Sequence, residues 1–498
     1  MQRLANIDII IIAFYLFGLL IVGYLVGRKQ KTDKDYFLGS RNLKWWMVGM
    51  SMVVSDIGAL ELVGVAGLAY TVGLSVGNFD WIGCVPAMIL AAFVFIPFYW
   101  KSGVFTVPEY LGRRYNQAVR TLVAILWGLF LIANLGIFLF TAGKTMELLF
   151  GLHYMWGIVI TGFVIGTYTF LGGLKAVVFM DTIQYFVLVL GSILIIAVGF
   201  YKVGGIDGLV AKVAEVGGPE RESFFNLIVP ADTDQPFSWP AVLFGLAFVL
   251  SPAYWIGNQA IVQRNLGTSS QREAKKSVLF GAFLKLFIPI LIVVPGLVGF
   301  ALFPDLEKGD EVFPTMLHEL LPPGVAGLVF AGFLAALMSS ADSYLNSAAT
   351  IWTMDVYKKY IKKDASHEHL FLIGKILTAS FIIFAIFLAP LTDKFSGIFT
   401  AMQTLLTIFQ GPTFAILLLG MIWKRANGAG AVAGLIVGVT TSSMLFWIKS
   451  GIFKADEPFL YIAWWSFVAG VLATIIGSLA TKPKTAVELE NLTYSSKG

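Results

Sequence analysis

The sequence predicts an all-α polytopic membrane protein of about thirteen transmembrane helices, and three observations carry that reading. Of the 498 residues, 57 % are hydrophobic and 13 % charged, where a soluble domain holds about 45–50 % and roughly 25 %; the mean hydropathy is +0.80. Apolar runs such as 7–27, 77–99 and 177–201 reach the roughly 20 residues that cross a hydrocarbon core of about 30 Å. The Lys and Arg residues concentrate in alternate connections between those runs. The same composition excludes disordered, collagenous and disulfide-bonded scaffolds, since Cys84 is the single cysteine. With four histidines and no HExxH spacing, a zinc or iron centre of the usual ligands is not expected. The net charge of +5 is the ordinary surplus of cytoplasmic loops and does not point to nucleic acid.

Taken in order, the spans are expected near 7–27, 45–72, 77–99, 118–149, 155–172, 177–201, 237–261, 275–303, 322–352, 370–390, 395–423, 427–449 and 459–481. The first lacks a small-residue cleavage site and reads as a retained helix rather than a signal peptide. One alternating set of connections holds 24 of the 35 basic residues, including Arg28, Lys101, Arg264, Lys358 and Lys424; the other holds 8. That places the N-terminus outside and the C-terminus in the cytoplasm of a plasma (inner) membrane protein, as an odd number of spans requires. The chain divides into an extra helix and loop (1–44), five spans (45–201), an external loop (202–236), five more spans (237–423), and two peripheral helices with a tail (424–498). Five is odd, so the two blocks enter the membrane from opposite sides. That is the arithmetic of an inverted repeat, whose binding site lies near the midplane.

An ionisable group inside a span is costly and marks a functional candidate. Those present are Asp56, Glu61, Asp80, Lys144, Glu147, Asp181, Lys285 and Asp342. Lys144 and Glu147, three apart near a helix end, read as an interfacial pair. Asp181 follows Lys175 and is either a solvated inner-end residue or a functional one. Lys285 lies about 15 Å inside a helix starting near Lys275, too deep to snorkel. Ser55-Asp56-Ile57-Gly58-Ala59 suits an unwound segment with free carbonyls. Ser339-Ser340 could be interhelical hydrogen-bond residues or, with such carbonyls, oxygen ligands for a hard cation like Na⁺; chemistry alone leaves both open.

Several motifs carry a resemblance over about residues 7–481: Asp35-Tyr36-Phe37-Leu38-Gly39-Ser40-Arg41 with Trp45-Trp46; Val107-Pro108-Glu109-Tyr110-Leu111; Gly172-Gly173-Leu174-Lys175 leading to Asp181 and Gln184. Further along come Tyr254-Trp255, Asn258-Gln259, Val262-Gln263-Arg264, Ala282-Phe283-Leu284-Lys285, Ser339-Ser340 and Trp423-Lys424-Arg425. In this order the chain resembles the sodium/solute symporter family, and within it the sodium/sugar branch. The resemblance implies a LeuT-type core of two five-helix inverted repeats, Na⁺ as coupling ion, no other cofactor, and no catalytic residue. It implies a sodium site at Val54, Ile57, Ala336, Ser339 and Ser340, with Asp56 and Asp181 as contributors. It places the solute against Glu61, Asp80, Ser251, Tyr254, Trp255, Lys285 and Gln403, with Phe79, Tyr254 and Phe399 as gates. Glu61 departs from the branch's glutamine or histidine, Asp56 from its asparagine, and Gly83 from a serine of the bacterial galactose member.

The expected function is therefore Na⁺-driven uptake of a small polar solute by alternating access, a sugar or polyol first, with an amino acid, amino sugar, carboxylate or nucleoside as alternatives. A channel would need a continuous polar lining or repeated filter. No Walker sequence is present, which argues against ATP-driven transport. The connections are too short to hold a kinase or other catalytic domain.

Overall fold

The computed structural model describes residues 5–27, 31–58, 61–218, 223–394, 398–455 and 458–493. The spanning helices are α1 (Asn6–Gly27), α2 (Trp45–Asp56), α3 (Glu61–Val72), α4 (Leu74–Ser102), α5 (Gln117–Phe150) and α6 (Tyr154–Val203). They continue with α7 (Ala241–Gly257), α8 (Gln259–Leu266), α9 (Gln271–Leu302) and α10 (Val325–Ile361). The last four are α11 (His367–Leu388), α12 (Ile398–Ile422), α13 (Gly428–Trp447) and α14 (Phe459–Leu479). The pairs α2–α3 and α7–α8 are each bent at a short break, and α6 is kinked at Gly173; by length and apolarity nine helices, or eleven with each bent pair taken as one span, could cross a membrane among the described residues. Gly173 has φ +49°, and a Cβ there would meet the Tyr36 carbonyl at 2.5 Å; only glycine makes that turn.

Helix ends inside an apolar protein leave backbone groups that need partners, and polar side chains from distant helices supply them. Asp8 of α1 accepts from the N–H groups of Gly324 and Gly327 (2.7 and 2.6 Å), closing the N-terminus of α10. Arg114, fully buried, donates to the Gly420 carbonyl in the last turn of α12 and to the Trp423 and Ala426 carbonyls just beyond it. Its positive charge also suits the negative pole of that helix. The sequence assigned Arg114 to a cytoplasmic connection; in the fold it is an internal cap.

Close backbone approach, rather than large side chains, brings the central helices together. A Cβ on Gly332 of α10 would lie 3.0 Å from the Val187 carbonyl of α6. A Cβ on Gly49 of α2 would lie 2.8 Å from the Ser277 carbonyl and 2.8 Å from the Phe280 ring of α9. Small residues at such crossings permit the contact. Gly49→Ala is therefore expected to lower stability by about 1–3 kcal/mol through overpacking. Gly18, where an added Cβ would meet nothing within 4 Å, should accept alanine without loss. Thermal unfolding of the detergent-purified variants checks the pair, and equal midpoints for both would contradict the close α2–α9 contact.

Candidate functional site

Helix α2 ends at Asp56, with Ile57 (φ −82°, ψ 71°) outside helical geometry. Beyond it the backbone hydrogen bonds change partner. The Gly58 N–H turns back to the Asp56 carbonyl (3.0 Å) instead of reaching Val54, and the Glu61 N–H goes to Gly58 (2.9 Å) instead of Ile57. The break thus withdraws, among the described residues, the helical donors that would have claimed the Val54 and Ile57 carbonyls. A Cβ on Gly58 would sit 2.7 Å from the Ser340 hydroxyl, so the break lies directly against α10. The Ser340 hydroxyl donates to the Ser55 carbonyl (2.7 Å) and to Ala336 (3.2 Å).

A second polar group fills the space beside these atoms. The Asp181 carboxylate, on α6 and fully buried, accepts from Ser339 (2.6 Å) and Ser51 (2.5 Å). Arg264 of α8 donates to Ser51 (2.6 Å), Ser55 (2.6 Å), Asp181 (3.2 Å) and the Ser343 hydroxyl. Asp342 accepts from Tyr168 (2.6 Å) and Ser343 (3.0 Å). Five helical segments meet here, and a guanidinium with two carboxylates is held wholly out of lipid. Asp181 is accordingly not a solvated inner-end residue. Arg264, which the sequence placed in a basic cytoplasmic connection, is 1 % exposed; it lies past a 50° bend at Asn258, whose side chain caps α8 at Ala260 (2.9 Å). Ser51, Ser343 and Tyr168 were not singled out from sequence, because a lone hydroxyl in a span has no signature of its own; Ser55 was noted only as part of the interrupted stretch.

On the other side of Asp56 lies a cavity lined by Asp56, Glu61, Phe79, Cys84, Leu250, Ser251, Tyr254, Trp255, Met402, Gln403, Leu406 and Gln410. Its free volume is about 40 Å³, space for about three waters and too little for a sugar ring. Lys285, from the far end of the first part of α9, forms ion pairs with Asp80 (2.6 Å) and with Asp56, and all three are nearly or fully buried. Of the solute-site carboxylates the resemblance implies, Asp80 pairs with Lys285 and Glu61 does not; the second partner is Asp56. The Glu61 side chain lines the cavity without a hydrogen bond or ion pair of its own among the described residues. Pro289 lacks the N–H that would bond the Lys285 carbonyl, and the Trp81 indole takes the neighbouring Leu286 carbonyl (3.0 Å), so α9 loosens where Lys285 enters. A Cβ on Gly83 would lie 2.6 Å from the Ser251 hydroxyl and 3.0 Å from the Leu246 side chain, so α4 and α7 meet closely there.

Tyr254 and Trp255 meet edge to face (5.6 Å). Phe79 also borders the cavity; the side chain of Phe399 lies outside the described residues. Two wall groups are buried without a hydrogen-bond partner: the Gln410 amide and the Trp255 indole N–H. Gln410, one helical face from Gln403, was not anticipated, since an amide in a span is as readily an interhelical bond. Lys144 and Glu147 pair at 3.0 Å, partly exposed, away from the cavity.

Arg264→Ala would leave Asp181 buried beside no cation among its present contacts. A broken buried pair costs about 3–5 kcal/mol, so the variant should unfold at a markedly lower temperature than wild type in detergent, with Arg264→Lys recovering part of the loss. An unchanged midpoint for Arg264→Ala would refute the ion pair's structural weight.

The model of the sodium:solute symporter family matches residues 36–438. The "Sodium/glucose cotransporter" of Vibrio parahaemolyticus is 33 % identical over 460 residues, covering 88 % of this chain and 84 % of that one. "Sodium/glucose cotransporter 1" of Oryctolagus cuniculus is 30 % identical, covering 99 % and 82 %. "Sodium/myo-inositol cotransporter 2" of Mus musculus is 32 % identical, covering 87 % and 68 %. Among solved structures, a Na⁺-coupled sialic acid symporter in a substrate-bound outward-open state superposes with a TM-score of 0.85 over 97 % of this chain and 99 % of that one, at 24 % identity. That last likeness concerns the fold, which is LeuT-like.

Proposed function

The chain belongs to the sodium:solute symporter family, a family of Na⁺-coupled transporters and not of enzymes, and on that premise we propose that its solute is a sugar or sugar-like polyol. The observation that carries the reading is the pair of unpartnered polar groups in the cavity wall. The Gln410 amide offers both a donor and an acceptor, and the Trp255 indole a donor. Buried polar groups without partners are costly, and solute hydroxyls would satisfy them, while the faces of Tyr254 and Trp255 suit the C–H surface of a sugar ring. The Glu61, Asp80, Ser251 and Gln403 side chains add further hydroxyl partners. The relatives named for glucose and myo-inositol support the same class. Tyr254 and Phe79 serve as gates, because a cavity of about 40 Å³ admits a sugar only when its walls part.

For the ion we propose a site at the Val54, Ile57 and Ala336 carbonyls and the Ser339 and Ser340 hydroxyls, with Asp181 beside it. A hard cation takes oxygen ligands, and the helix break supplies two carbonyls without helical donors. Asp56 serves the Lys285 pair in this conformation, and contributes to the ion through its charge. One Na⁺ moving down about 100 mV yields roughly 2.3 kcal/mol, enough for a solute ratio of about fiftyfold. We further propose that the N-terminus lies outside and the C-terminus in the cytoplasm, following the basic residues, with residues 45–201 and 237–423 as the two repeats.

The test is uptake into proteoliposomes of labelled D-glucose, myo-inositol and D-glucosamine under an inward Na⁺ gradient, with choline replacing Na⁺ in the control. Saturable uptake of at least one, absent in choline, is expected; none with any of the three removes the sugar assignment. Ser339→Ala and Ser340→Ala should each raise the Na⁺ concentration for half-maximal uptake about tenfold, as a lost ligand worth about 1–3 kcal/mol implies. Unchanged Na⁺ dependence in both would move the ion elsewhere. Lys285→Ala should insert normally, as a span without a buried charge enters the membrane more easily, yet lose uptake, since Asp56 and Asp80 are then two carboxylates without their cation. Normal uptake by that variant would overturn the cavity as the solute site.

A further inference from the structure

A larger cavity, sharing no residue with the solute site, opens at the C-terminal end of α10. Its free volume is about 440 Å³, within the range of about 300–1,000 Å³ that small-ligand sites occupy. Five of its lining side chains are cationic, Arg113, Arg120, Lys358, Lys359 and Lys363, and one, Glu109, is acidic. They come from three stretches of chain: the short helix Val107–Arg114, the start of α5, and the end of α10 with the residues after it. The arginines already have partners. Arg113 pairs with Glu109 (2.6 Å), and Arg120 with the buried Asp355 (2.6 Å), which also accepts from the Thr106 hydroxyl (2.7 Å). The ammonium groups of Lys358, Lys359 and Lys363 form no hydrogen bond or ion pair among the described residues. The negative pole of α10 offsets roughly half a charge, so most of three positive charges stays unmatched within one hollow. Basic residues at a helix end ordinarily spread into water; here Lys358 and Lys359 are half-buried and share a wall with Lys363.

We propose that this cavity binds a phosphate monoester, carried by a phospholipid headgroup or by a soluble ester. Such a group brings about 1.5–2 negative charges and three strong acceptor oxygens near neutral pH, which matches three ammonium donors in both charge and number. A carboxylate brings one charge and a planar pair of oxygens suited to an arginine fork, and both arginines are engaged. Tyr360 and Ile361 stand exposed between Lys359 and Lys362. Apolar side chains bracketed by lysines belong at a bilayer interface, where headgroups and dissolved esters are both within reach. A ligand held here ties the end of α10, the helix that carries Ser339 and Ser340, to the connection between α4 and α5. The inference stands apart from the sugar reading and does not depend on it.

Titration calorimetry on the full chain in a neutral detergent tests this at about pH 7.5, where a phosphate monoester is close to doubly charged. Glycerol 3-phosphate probes the soluble source and dioctanoyl phosphatidate the lipid one, with dioctanoyl phosphatidylcholine as the zwitterionic control. At least one of the two monoesters should bind saturably, and more tightly than the control. The triple variant Lys358→Gln, Lys359→Gln, Lys363→Gln should weaken that binding at least tenfold, and the same three positions changed to arginine should retain it. Lys34→Gln, Lys424→Gln, Lys482→Gln, three exposed lysines elsewhere in the chain, should leave it within about twofold, the change expected of screened, distant charges. Binding of phosphatidate alone assigns the site to a lipid headgroup, and binding of glycerol 3-phosphate assigns it to a soluble ester. Failure of both to bind, phosphatidylcholine binding as tightly as phosphatidate, or equal weakening by the two glutamine variants overturns the proposal. Wild-type affinity should also fall at least tenfold between about 50 and 500 mM NaCl; a flat response overturns it even if no variant folds.

Discussion

A charge within a membrane protein has to be met by another, and in this chain that requirement ties the central helices to one another. Arg264 and Asp181 join α8 to α6, and through Ser51, Ser55, Ser339 and Ser343 draw in α2 and α10. Lys285 joins α9 to α2 and α4 through Asp56 and Asp80. Neither group is a device for stability in itself, since a buried ion pair often does no better than apolar side chains of the same shape. What the pairs fix is position. Each helix that brings a charge must stop at the depth where its counter-charge waits, so the polar groups set the register of helices whose lipid-facing surfaces are interchangeable.

The two polar groups are separate in space but share α2. Ser51 and Ser55 face the Asp181–Arg264 cluster, and Asp56, the next residue, faces the cavity through Lys285. The carbonyls left without helical donors by the break belong to the same turn. Any movement of this helix end therefore alters both surroundings at once. Coupling between ion and solute needs a shared element whose arrangement both ligands bias, and this turn has the required contacts on each side.

Much of this was legible in the sequence, and the missing parts have common physical causes. Spans are read from length and apolarity, which are local, and long apolar helices emerge near most of the expected places, with the expected spans at 155–172 and 177–201 running together in the kinked α6. Lys285 was legible because an ammonium fourteen residues into a helix starting at Gln271, about 21 Å along its axis, has no route to water. The resemblance placed Asp80 and Lys285 in one site, whereas it assigned Asp56 to the ion, and the Lys285–Asp56 pair was not foreseen. Arg264 was misplaced because Asn258 bends its span, so the short α8 looked like the start of a basic connection. Arg114 does lie in a connection between spans, but its burial there was not legible: its partners are carbonyls some 300 residues away, and backbone groups leave no trace in a sequence pattern. Gln410 carries no charge and so raised no alarm in its span.

The placement of these residues along the two bent spans follows a rule. In α2–α3 the chain first passes the cluster, at Ser51 and Ser55, then the break, then the cavity, at Glu61. In α7–α8 it first passes the cavity, at Ser251, Tyr254 and Trp255, then the bend at Asn258, then the cluster, at Arg264. The order along one span is the reverse of that along the other, which is the relation expected of the first helices of two inverted repeats. Each bent span thus contributes one limb to each polar region. The cavity limb of one span bears a carboxylate, Glu61, where that of the other bears the aromatic rings of Tyr254 and Trp255. The two spans are alike in where they break and unlike in what they offer on either side, and that difference separates a place for an ion from a place for a solute.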